Sequence, residues 1–428
     1  MQGERLPVVS RAALAILLAA TLYATSAYAA TEKVLLKFDG RDGWQPGGGL
    51  IFDSAGNIYG TTAFGGSDDC AYGCGTVFEL TPKTGGGWTR KVLHDFNGRD
   101  GQQPDAGLVF DAKGNLYGTT QAGGANIYGT VFELSPKAGG AWTEKALHSF
   151  NEDGKDGVYP VASLIVDALG NLYGTTGGGG TYGGGIVFEL APKEDGTWTE
   201  KILHSFNDDG KDGYASSAGL VLDASGNLYG TTFYGGGGGC NEGNTHGCGT
   251  IFELAPNVGG GWTEKILHSF VGNSKDGNYP ESSLIFDASG NLYGTTELGG
   301  VYEGGTVFEL TPGADAHWRE AVLHNFNYQN NDGSILDASL IFDASGNLYG
   351  TAYSGVDNSG VVFELTPKAG GEWTETALRR FNNRQKDGAF PTASLIFDGA
   401  GNLYSTASAG GDPGCGRFGC GTVFEIIP

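Results

Sequence analysis

The sequence predicts an all-β fold, a seven-bladed β-propeller with four strands per blade, and three observations carry that expectation. The phrase DASGNLYGTT at 287–296 returns in close copies at 53–62, 111–120, 167–176, 223–232 and 398–407, and its first eight letters recur at 343–350. The Asn of this phrase recurs every 55 to 64 residues, and each repeat carries four short apolar runs. The two ends of the repeat region read as complementary parts of one more unit. Self-similarity at a fixed long period marks a repeat architecture and must be settled before any local motif. Composition agrees. Of 428 residues 39% are hydrophobic and 11% aromatic, enough for a real core. Glycine reaches 78 without the every-third-residue period of collagen, which points to many tight turns between many short strands.

Within the fifth unit the elements follow in order. Residues 283–286 (SLIF) form the first apolar run. The Asp of DASGN caps a tight turn with its side chain, and Gly supplies the positive φ of a hairpin. Residues 291–294 (NLYG) return as the second strand, 306–310 (TVFEL) form the third, and 318–326 the fourth. The runs are nearly continuous rather than alternating, so the sheet is expected to be covered on both faces. Sheets of four strands covered by copies of themselves are propeller blades, and a β-solenoid would need shorter coils. The segment TEKVLLKF at 31–38 matches the fourth strand TEKILHSF at 263–270 but follows no first three strands, while GTVFEIIP at 421–428 is a third strand with no fourth after it. The N-terminal strand is therefore expected to complete the last blade and close the ring without a free edge.

Residues 1–29 read as a secretory leader: Arg5 and Arg11, an apolar run from Ala12 to Leu22, then the small-x-small pattern Ala27-Tyr28-Ala29. That run is short of the roughly 20 residues a membrane helix needs. The domain expectation is a leader over 1–29 and one propeller over 30–428, exported to an extracellular or periplasmic space, with no membrane insertion and a monomer favoured. The formal charge of −23 disfavours phosphate backbones and anionic membranes, so no nucleic-acid partner is expected.

The pattern LIFDASGNLYGTT…GG…GTVFEL resembles the tandem repeat of exported GloVer (Gloeobacter–Verrucomicrobia) repeat proteins over essentially the whole mature chain. The stretch P-x-x-S-L-I-F-D-x-x-G-N-L-Y is more weakly similar to the NHL-type propeller repeat. The GloVer resemblance implies an extracellular or envelope protein, often with a C-terminal anchor. This chain ends at Pro428 directly after a strand, without such a tail.

A residue present in every blade serves the blade. The third-strand Glu (Glu79 to Glu425), the Asp before Gly in each inter-blade loop (Asp42 to Asp387) and the outer-strand His at 94, 148, 204, 268 and 324 are read as turn-capping and pairing residues. Function is expected where the symmetry breaks. The loops from second to third strand differ in length, and the three longest hold all six cysteines as local pairs: Cys70 with Cys74, Cys240 with Cys248, Cys415 with Cys420. In an exported chain these read as disulfides rather than a metal site.

Just after the Pro position of each inter-blade loop come Gly47, Asp105, Val161, Ser217, Glu281, Asp337 and Thr392, which puts three carboxylates at the channel mouth. Just before it lie Trp44, Tyr159, Tyr214, Tyr279 and Phe390, aromatics that suit sugar stacking or, alternatively, loop packing. The loops NEDGKDG (151–157) and NDDGKDG (207–213) are superficially like calcium loops but lack the terminal Glu. No cofactor and no metal centre are expected, with calcium the minor alternative. The leading expectation is an exported, non-catalytic binding module for a glycan or cell-surface partner. The alternatives are a glycoside hydrolase or polysaccharide lyase with Asp105, Glu281 and Asp337 as acid and base, and a structural envelope protein.

Overall fold

The computed structural model describes residues 30–428, except 208, 243–244, 315–316, 331, 356–358 and 383–386. The leader expected over 1–29 lies outside the described residues. Seven four-stranded antiparallel sheets form a seven-bladed β-propeller. In the fifth blade the strands are Ile285–Phe286, Leu292–Thr296, Thr306–Pro312 and Trp318–Asn325, hydrogen-bonded in that order. The innermost strand pairs over only two residues, shorter than the run of four in the sequence, because the residues before it line the axis. No α-helix occurs among the described residues, and none of their helices is long and apolar enough to cross a membrane.

The ring closes as the chain ends predict. Thr31–Lys37 pairs antiparallel with Thr422–Ile427, from Thr31↔Ile427 to Lys37↔Thr422, and completes the sheet that contains Leu403–Ala407 and Ile396–Phe397. Phe38, next after that strand, is fully buried and meets Phe78 of the first blade edge-on at 5.2 Å.

The repeated phrase has a local physical account. Asp53 Oδ1 accepts the backbone N–H of Ala55 and Asn57 at 2.9 Å each, and its Oδ2 takes the Asn57 amide at 2.8 Å and the Tyr59 hydroxyl at 3.1 Å. Gly56 has φ +81° with open space where a Cβ would stand, so backbone conformation alone selects glycine there. Gly60 is glycine for the opposite reason: a Cβ would come within 2.6 Å of the buried Phe78 ring. Tyr59 is 5% exposed, and its hydroxyl is also held by Glu79 at 3.1 Å. In five blades the third-strand Glu accepts from this buried phenol in the same way. The ring of that Tyr meets Phe110 of the next blade edge-on, so one residue ties turn, sheet and neighbouring blade together.

Candidate functional site

The loops from second to third strand and the inter-blade loops share one face of the ring. In four blades they pair as two-residue strands, such as Gly213–Tyr214 with Tyr234–Gly235, and in three as single bridges such as Trp44↔Phe64. The residue just before the Pro position has positive φ in all seven blades although none is glycine: Gln45, Gln103, Tyr159, Ala215, Tyr279, Ile335 and Phe390, between +52° and +64°. This conformation is unfavourable for such residues. Two backbone hydrogen bonds hold it: Tyr279 N–H donates to Cys248 C=O of the preceding loop at 2.8 Å, and Glu297 N–H donates back to Tyr279 C=O at 3.0 Å. The other six positions make the two equivalent bonds with residues of their own neighbouring loops. A sevenfold strained turn is a scaffold feature, so it marks the face and not one site on it.

At the axis on this face, all seven predicted positions line one pocket of about 120 Å³. The structure brings Asp105, Glu281 and Asp337 together around it, with Gly, Val, Ser and Thr at the other four positions. Burial pushes Asp105 and Asp337 up to about 6, and burial, then the charges of Asp337 and Glu297, push Glu281 up to about 7. Oδ1 of Asp337 is buried without a hydrogen-bond partner. The pocket is far below the 300–1,000 Å³ typical of small-molecule sites, so its rim offers little room for a sugar ring between acid and base.

A second cavity on the same face, about 300 Å³, lies where the seventh blade meets its two neighbours. Trp44 and Phe390 line it, as does Tyr353, stacked on Phe390 at 4.9 Å, and Phe418, which is 52% exposed. Trp44 and Phe390 were expected from sequence; Tyr353 and Phe418 were not.

The remaining predicted aromatics do not join this cleft. Tyr159 is 45% exposed beside Tyr128, while Tyr214 is half-buried, its ring close against Gly184. Tyr279 corrects the expectation: it is 7% exposed and stacks face to face on Phe233 at 4.8 Å, so it packs the loop instead of offering a ring to a ligand. A different set is exposed. Tyr72, Tyr182, Tyr302 and Phe418, between 49% and 67% exposed, stand four residues before the third strands of alternate blades. Counting back from GTVFEL would have found them.

The three disulfides form as expected, Cys70–Cys74, Cys240–Cys248 and Cys415–Cys420, and there is no free cysteine. Each packs on the glycine two residues after the Phe that ends the same blade; a Cβ on Gly98, Gly272 or Gly40 would stand 3.5, 2.4 or 2.9 Å from a sulfur. Blades without a disulfide carry Glu152, Asp208, Tyr328 or Asn383 at that position. In the loop 151–157, Asp153 caps its own turn through Lys155 and Asp156 N–H, and Asp156 faces His148, so these carboxylates do not converge on a calcium-like cage.

The outer-strand His and inter-blade Asp, read as serving single blades, meet an outer-strand Glu across blade boundaries. His94, Asp100 and Glu144 form one junction cluster, His148, Asp156 and Glu200 a second, and His204, Asp212 and Glu264 a third. In each, the His ends one blade, the Asp lies in the connecting loop and the Glu comes from the outer strand of the next blade.

The Gloeobacter/Verrucomicrobia repeat matches this chain over residues 19–243 and 238–428. No curated protein matches it. Among solved structures, a luciferin-regenerating enzyme is similar over 93% of this chain and 95% of its own, at 11% identity and a TM-score of 0.43.

Proposed function

This chain belongs to the Gloeobacter/Verrucomicrobia repeat family, and we propose that it is an exported, non-catalytic binding module whose loop-rich face takes a glycan. The observation that carries this reading is the cleft of about 300 Å³ lined by Trp44, Tyr353, Phe390 and Phe418. Aromatic rings in a concave site stack on the apolar faces of sugars, and each is worth on the order of 1 kcal/mol when covered. The charge of −23 favours an uncharged glycan over an anionic one. Three disulfides in the loops of that face agree with an oxidising compartment.

A glycan array followed by titration of the hits tests the reading. Trp44→Ala and Phe418→Ala should each weaken binding about tenfold, the equivalent of about 1.4 kcal/mol, with the fold retained. Tyr279→Ala should instead lower stability and leave the affinity of the folded fraction unchanged. The enzyme alternative rests on the raised pKa values of Asp105, Glu281 and Asp337, which suit acid–base chemistry near neutral pH. Shortened chains after incubation, lost in Asp105→Asn with Glu281→Gln, would establish that alternative. Ligand recovered intact supports the module.

A further inference from the structure

The blade junctions hold chemistry that neither the cleft nor the axis uses. In the first three, a histidine ring nitrogen and two carboxylate oxygens lie within 4.8 Å of one another. His148 Nε2 is 3.1 Å from Asp156 Oδ2 and 3.7 Å from Glu200 Oε1; His204 Nε2 is 3.1 Å from Asp212 Oδ2 and 3.6 Å from Glu264 Oε1. Ligands at about 2.0–2.1 Å in a tetrahedron stand roughly 3.3 Å apart, so these separations bracket what zinc requires. The Asp is already oriented: Asp156 accepts the backbone N–H of Asn151 at 3.0 Å and of Gly157 at 2.7 Å, with the Asn151 amide at 2.8 Å on the same oxygen as His148. Supporting hydrogen bonds of this kind are what hold a metal ligand in place.

Two further features point to a cation at these junctions. Oε1 of Glu144, Glu200 and Glu264 is buried with no hydrogen-bond partner, as is that of Glu320, Glu375 and Glu32 at other junctions, and the Glu200 and Glu264 side chains are only 17% and 16% exposed. The chain itself also places a guanidinium at the two junctions that have no histidine. Arg379 replaces the His and contacts both Glu32 and Asp387, and Arg90 replaces the Glu and contacts Asp42. There the cation is covalently supplied.

We propose that the clusters His94–Asp100–Glu144, His148–Asp156–Glu200 and His204–Asp212–Glu264 bind divalent transition cations of the zinc class. The imidazole nitrogen selects such ions over calcium or magnesium. On binding, His Nε2 and the Glu carboxyl give up any proton they carry and the metal takes its place, so uptake releases protons. Each site draws ligands from two blades, and the ion therefore crosslinks them.

The test uses the metal-free mature chain and zinc chloride, read by calorimetric titration and by thermal unfolding. Up to three ions per chain should bind at micromolar concentrations with proton release. The unfolding temperature should rise and return to its starting value on adding chelator, and calcium should have no effect. The triple variant Glu144→Gln, Glu200→Gln, Glu264→Gln keeps the size and shape of each side chain and should lose this response with its β spectrum unchanged. Should that variant fail to fold, His148→Gln alone should reduce the stoichiometry by one. Unfolding unaltered by tenfold excess zinc, an equal response from the variants, or an equal response to calcium would overturn the proposal. None of these results depends on the aromatic cleft.

Discussion

A carboxyl near the axis shows how much one residue's surroundings decide. Asp105, Glu281 and Asp337 all have folded pKa values raised above their ordinary ones, chiefly by burial. A raised folded value means the neutral form fits the fold better. Its contribution is therefore present below the unfolded pKa near 4 and is lost as pH rises through about 6 to 7. Glu281→Gln removes the charge and should raise stability at pH 8 by about 1–2 kcal/mol while changing little at pH 4, measured by urea unfolding at both. An equal effect at both pH values would show that packing, not charge, is at work. That these three acids share the channel mouth was legible from their position after Pro in the repeat. Their titration was not, because burial is a property of neighbours from all seven blades. Tyr279 teaches the same lesson with the opposite outcome: the sequence places it on the loop-rich face, but only Phe233 stacked on its ring removes it from a ligand's reach.

At the scale of the element, loop and junction are written together. A disulfide in the second-to-third loop goes with glycine two residues after the blade-ending Phe, and at Gly272 and Gly40 the sulfurs occupy the space a Cβ would need. Gly272, at φ +58° with a Cβ position 2.4 Å from Cys240 Sγ and 2.7 Å from Cys248 Sγ, should lose about 2–3 kcal/mol on change to Ala, from backbone and overlap together. Gly114, at φ +83° with nothing within 4 Å, should lose only about 1 kcal/mol. Repeating Gly272→Ala in a Cys240→Ser, Cys248→Ser background should bring the two losses together. A double-mutant cycle on denaturation midpoints checks it, and additivity would refute the coupling. The cysteine pairs were legible from spacing. The paired glycine was visible in the sequence too, but its meaning required knowing that the disulfide lies on the next loop.

For the whole molecule, closure is the property that matters most. The first strand completes the last blade, so the two ends of the propeller chain are tied by the register Thr31↔Ile427 to Lys37↔Thr422. Deleting residues 30–38 leaves an open edge and removes Phe38 from between two blades. The loss should be at least the about 3–5 kcal/mol that truncating one buried Phe already costs. Thermal unfolding of the truncated and mature chains compares them directly, and equal midpoints would refute the closure argument. In a ring each blade is held by both neighbours, so this opening should also weaken binding in the cleft that the first, sixth and seventh blades share.

The sequence by itself determined the number of blades, the strand order within each, the turn chemistry, the closing strand and the three disulfides. Those depend on the repeat period, on turn geometry, on how the two ends of the array complement each other and on cysteines close in sequence, all of which the sequence displays directly. Only the tertiary structure decided which aromatics line a cleft, which are buried, and that His148, Asp156 and Glu200 converge although 52 residues separate the first from the last. Contacts between blades join different positions of successive repeats, and a repeat pattern shows which positions are equivalent but not which are neighbours. Their meeting is set by the angle at which rigid sheets pack around an axis, which no single repeat contains.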